Sequence, residues 1–129
     1  MKTYKSKYGF QELKRKVESL IIRNGMNIMA RIDYSSIAEG IGMRLNSSIL
    51  YLFGNPRRCT MIMRNNMRAG LYLPQKVLLW EDKNKNSFVS YEPLSEPLSQ
   101  LSGSGNEYIK SAEEVLKEIV FEVSTGEPS

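Results

Sequence analysis

The stretch "QKVLLWEDKNKNSFVSY" constrains this fold more than any other part of the chain. Two β-favouring apolar runs, residues 75–81 and 87–91, are separated by five polar residues, 82–86. Five residues suffice for a hairpin, whereas the crossover of a parallel pair takes about a dozen or more. A sheet built around this pair is therefore mainly antiparallel.

The other segments add to that sheet. Residues 3–8, "TYKSKY", suit a short edge strand whose lysines discourage further pairing. Phe10, Leu13, Val17, Leu20 and Ile21 recur at helical spacing, between Gly9 and an Asn24-Gly25 stop. Residues 26–33 read as a strand with Ile28, Ala30 and Ile32 on one face. Ser36-x-x-Glu39 has the form of a capping box for a short helix. The uninterrupted run "SILYLF", residues 48–53, suits a central strand buried on both faces. Asn55-Pro56 then supplies a cap and a first-turn proline, and Cys59, Ile62, Met63 and Met67 fall on one side of the helix that follows. Residues 94–106 form a loop or linker. Residues 107–123 carry an amphipathic helix with Tyr108, Ile109, Ala112, Val115, Leu116, Ile119 and Val123 in its stripe, and the terminal "STGEPS" should fray. The expectation is one α+β domain over residues 1–129, with about five strands, mainly antiparallel, and helices on one face.

Composition narrows the chemistry. The chain has no histidine and one cysteine, Cys59. Histidine-based triads and general bases are excluded, as are most zinc sites. One cysteine makes no internal disulfide, so a reducing, cytoplasmic setting is expected. No apolar run approaches the roughly 20 residues that span a bilayer, and residues 1–10 lack the apolar core of a secretory signal. Residues 1–70 carry 13 Lys/Arg against 4 Asp/Glu, and residues 71–129 carry 5 against 10. The cations are scattered and show no nucleic-acid motif, so the two halves are expected to balance each other rather than bind nucleic acid.

"ARID" (30–33), "LYLFGNP" (50–56), "LYLPQKVLLWED" (71–82) and "VSY" (89–91) stand here in an order and spacing that resemble the bacterial domain-of-unknown-function 302 family. The likeness runs from about Ser6 to Pro93, giving a family-like core at 1–93 and leaving the C-terminal helix outside it. It implies a TATA-binding-protein-like fold, with a curved antiparallel sheet backed by helices, often as dimers, and no established activity. The fold name carries no implication of nucleic-acid binding. Two positions depart from the family pattern. Tyr34 stands where a histidine is usual, and Cys59-Thr60-Met61 stands where Gly-Thr-Pro is usual. Any metal or proton-transfer role of that histidine is absent here.

The candidate ligand-binding residues are Arg31, Asp33, Asn55, Arg57, Arg58, Thr60 and Trp80. Asn55, Arg57, Arg58 and Thr60 cluster at a helix start, where backbone amides attract anions. Arg31 and Asp33 share a strand face, and Trp80 could line a pocket. Glu81 and Asp82 read as hairpin-turn acids. The expected function is a dimeric, non-catalytic module for a small anionic or partly apolar ligand, with no cofactor, no metal, and neither membrane nor nucleic acid as partner. The alternatives are a thiol enzyme using Cys59, in the first turn of a helix beside two arginines, and an interaction module using the C-terminal helix.

Overall fold

A computed structural model of the chain describes residues 1–94, 97–98, 101 and 107–128. The strands are β1 (Lys2–Ser6), β2 (Asn27–Asp33), β3 (Ser48–Gly54), β4 (Gln75–Glu81), β5 (Ser87–Tyr91) and β6 (Ser124–Pro128). The helices are α1 (Phe10–Arg23), α2 (Tyr34–Gly40), α3 (Pro56–Asn65) and α4 (Glu107–Val123), with a 3-10 turn at Met67–Leu71. All six strands form one sheet in the order β2-β3-β4-β5-β1-β6, and each neighbouring pair is antiparallel.

The hairpin is present as its length requires. Asp82 Oδ1 accepts from the amides of Asn84 and Asn86, both at 2.9 Å, and Lys85 takes a positive φ of 66° to close the turn. α1 is opened by Gly9 and closed by Asn24, with Gly25 at φ 75°, the left-handed position where glycine costs least.

The core lies between the sheet and one helical layer. Leu13, Val17 and Ile21 of α1 and Leu116, Ile119, Val120 and Val123 of α4 pack against Ile49, Tyr51, Phe53, Val77, Leu79 and Val89. The strand residues alternate in sequence because only one face of each strand points at the helices. A second cluster joins Ile62, Ala69, Leu94, Leu98 and Ile109 beneath α3.

Four local expectations need correction. The segment expected to fray pairs with β1 as β6, so β1 is an internal strand and the edges are β2 and β6. The helical side of β2 is interrupted by a register shift between Ile28 and Ala30. The extra residue turns Ile28 into the core while Ala30 and Ile32 stay opposite Leu52 and Leu50 on the other face. α2 starts at Tyr34, and its cap is Asp33, whose Oδ1 accepts from the Ser36 amide at 3.0 Å. β3 is central, but of the run at residues 48–53 only Ile49, Tyr51 and Phe53 are buried; Leu50 and Leu52 on its other face are half-buried. The "94–106" loop falls largely outside the described residues, although Leu94 and Leu98 belong to the second cluster.

Candidate functional site

The sheet face turned away from α1 and α4 carries a cleft. Leu50, Leu78 and Ser90 lie opposite one another across β3, β4 and β5 and form its floor. Tyr72 and Lys76 border it on one side. The chain leaving β5 borders it on the other through Glu92, Pro93, Leu94 and Pro97, and Lys2 closes the end. The cleft measures about 640 Å3, within the 300–1,000 Å3 range usual for small-ligand sites.

Its chemistry is apolar with a basic rim. The amine of Met1 lies 3.1 Å from Glu92 Oε1 and occupies the one acid among the described lining residues. Among the described residues, the other ion pairs are Arg31–Glu18 and Lys85–Glu81, so neither Lys2 nor Lys76 is paired. Ser90 Oγ accepts from Trp80 Nε1 at 2.9 Å and exchanges a 2.8 Å hydrogen bond with Thr3 Oγ1. Trp80 itself stacks on Phe88 at 4.5 Å beside the cleft, within one hydrogen bond of its floor.

The other residues singled out from sequence lie in two further places. Arg31 and Asp33 stand on β2, opposite Tyr51 and Ile49. Arg31 donates to Glu18 at 2.9 and 3.3 Å, and the Tyr51 hydroxyl donates to Glu18 Oε2 at 2.5 Å. The Arg31 hydrogen bond, then that of Tyr51, holds the Glu18 carboxyl below its usual range against the opposing effect of burial. Asp33 is held low chiefly by the Ser36 amide that it caps.

Asn55, Arg57, Arg58 and Thr60 stand at the start of α3. Asn55 Oδ1 accepts from the Arg58 amide at 3.1 Å, and Thr60 Oγ1 donates back to the Pro56 carbonyl at 2.8 Å. Arg57 is exposed. Asn55, Arg58 and Cys59 line a small cavity with Gly54, Ile62 and Gln75, whose volume is about 10 Å3. That is room for about one water molecule. Gln75 Oε1, buried at its wall, has no hydrogen-bond partner, while Gln75 Nε2 donates to Ala112.

Cys59 is half-buried, and burial pushes its thiol pKa up, opposite to what the helix start and two arginines suggested. Desolvation of the thiolate outweighs the opposing backbone hydrogen bond. Iodoacetamide at neutral pH should therefore label native Cys59 at least about tenfold more slowly than the unfolded chain. Equal rates in the two states would show an exposed, activated thiol.

Sequence reasoning passed over Leu50, Tyr72, Lys76, Leu78 and Leu94. The available signal was the unbroken apolar character of β3 and β4: such runs need cover on both faces, and α1 and α4 cover one. Among the described residues, no three His, Cys, Asp or Glu side chains are placed to hold a metal ion, and no helix is long and apolar enough to cross a membrane.

Comparison with known proteins agrees with the architecture. The fold resembles the crystal structure of an uncharacterized conserved protein DUF302 from Bacillus stearothermophilus, with a TM-score of 0.75 at 13% identity, covering 94% of this chain and 95% of that one. Over 80 residues the chain is 34% identical to proteins named fluoride-specific ion channel FluC 1 in Brucella suis biovar 1 (strain 1330) and Brucella abortus biovar 1 (strain 9-941). The match takes in 62% of this chain but only 32% and 30% of those relatives, so the chain spans about a third of their length. The family profile described as "Domain of unknown function DUF302" matches residues 2–123, from β1 to the end of α4, and the chain belongs to that family.

Proposed function

We propose that the chain is a non-catalytic binding module whose sheet cleft takes a small ligand with an apolar body and an anionic head, such as a medium-chain carboxylate. The carrying observation is the pairing of an apolar floor, Leu50 and Leu78, with two lysines, Lys2 and Lys76, that have no acidic partner among the described residues. An apolar chain gains by leaving water over the floor, and the head gains by meeting the rim cations. The α3 start, favoured from sequence, offers too little room for such a body. The reading includes a homodimer, supported by exposed apolar side chains along α2, and a cytoplasmic setting, supported by the lone thiol.

Trp80 is the single tryptophan and reports on the cleft through Ser90. Titration with decanoate should give a saturable change in its fluorescence, and decanol should bind more weakly. Lys76→Glu should weaken decanoate by about fivefold to tenfold, and Lys85→Glu, in the hairpin turn, should not. Sodium fluoride, included because of the names of the Brucella relatives, should give no change. Absence of saturation with decanoate, or equal affinity in Lys76→Glu, would overturn the assignment.

A further inference from the structure

We infer that Ser90 makes the cleft selective for a carboxylate whose chain carries an oxygen close to the head, such as a 3-hydroxy acid, an assignment that rests on the ligand reading above and narrows its class. Ser90 stands on β5, opposite Leu78 of β4 on one side and Thr3 of β1 on the other. Its side chain therefore shares the cleft floor with those of Leu50 and Leu78. The residue is 5% exposed, so bulk water does little to satisfy its hydroxyl.

Protons outnumber hydrogen bonds at this point of the floor. Trp80 Nε1, Ser90 Oγ and Thr3 Oγ1 carry one donor proton each. Two hydrogen bonds join them, Trp80 to Ser90 at 2.9 Å and Ser90 with Thr3 at 2.8 Å. The indole can only donate, and the two hydroxyls share the second bond, which uses one of their protons. Among the described residues no further hydrogen bond reaches either hydroxyl, so one proton stays uncommitted. When Thr3 donates, Ser90 Oγ accepts twice and its own proton is free for the cleft. A plain alkyl chain lying over Ser90 strips water from that proton and offers it nothing, which costs binding. A hydroxyl oxygen at the same point accepts it. Lys76 sets where along the ligand that oxygen falls. Ser90 is opposite Leu78, and Lys76 is the next residue on that face of β4, which makes it the diagonal neighbour of Ser90, about 7–8 Å away. A head held by Lys76 thus brings the first carbons of the chain over Ser90, and not its far end.

Isothermal titration calorimetry of the full chain with decanoate, 3-hydroxydecanoate and 10-hydroxydecanoate tests this. 3-Hydroxydecanoate should bind about threefold to tenfold more tightly than decanoate, the worth of one net hydrogen bond. 10-Hydroxydecanoate should show no such gain. In Ser90→Ala the ratio between 3-hydroxydecanoate and decanoate should fall to about one. Equal affinities for these two ligands in the wild type overturn the role of Ser90 while the cleft assignment stands. Absence of binding by all three overturns the cleft assignment and this one together. A gain with 10-hydroxydecanoate alone, or a ratio that survives in Ser90→Ala, also overturns the selection argued for Ser90. The ligand comparison uses only the wild-type chain, so it decides even where the variant fails to fold.

Discussion

A chain ending at residue 106 should show no cooperative thermal transition. α4 places Leu116, Ile119, Val120 and Val123 in the main core and Ile109 in the second cluster. Removing it also removes β6 from the outer side of β1. Each of these five side chains contributes about 1.5–3 kcal/mol by burial, as an upper estimate, against a total net stability of about 5–15 kcal/mol for a typical domain. The deletion thus removes an amount comparable to the whole. Far-UV circular dichroism through a melt is the check. A sharp transition in the truncated chain would mean that the helix is an appendage, free to serve as a docking element.

Glu18→Ala should lower stability by about 1–3 kcal/mol at neutral pH, the cost of leaving a buried donor without an acceptor. Tyr51 is fully buried, and its hydroxyl ends on Glu18. Burial, followed by that hydrogen bond, pushes the Tyr51 phenol pKa upward, so the ring remains a neutral donor. Arg31 is half exposed, and its share of the loss is small because water screens it. Tyr51→Phe combined with Glu18→Ala should cost less than the two single losses added together, since no orphaned hydroxyl remains.

The same carboxylate sets an acid limb. Glu18 and Asp33 are both held below their ordinary values in the folded chain. Above the unfolded Glu value of about 4.5 their contribution is complete. As pH falls from there through the lowered folded values, the unfolded chain binds more protons and stability drops. Cys59 works in the opposite direction at high pH: its folded value is raised, so stability declines above the ordinary thiol value of about 9.0. Urea midpoints across pH should form a plateau between these limits, and Glu18→Ala should flatten the acid limb. An unchanged acid limb in that variant would remove Glu18 from the account.

What could be read from the residues follows a physical division. The hairpin, α1 and the Asn55-Pro56 start of α3 are local: short polar turns, helical spacing and caps are written within a few residues. β6 was not local. "STGEPS" has weak strand propensity, and its extended state comes from pairing with β1, more than a hundred residues earlier. The register shift in β2 leaves no mark in an alternation that otherwise looks regular, so Ile28 was assigned to the wrong face. Asp33 outcompetes Ser36 as the α2 cap because β2 runs directly into the helix. The cleft was hidden for a related reason. Leu50, Leu78 and Ser90 are distant in sequence and meet only through the register of three strands. Their apolar character was legible; the absence of α1 and α4 from that face was not.

The most direct test of the binding assignment is amide chemical-shift mapping of the isotopically labelled chain during a decanoate titration. The account predicts that the largest saturable shifts fall on Leu50, Leu78, Ser90, Tyr72 and Lys76, with the α3 start at Asn55–Thr60 little changed. Shifts concentrated at that helix start, or none that saturate, would contradict it.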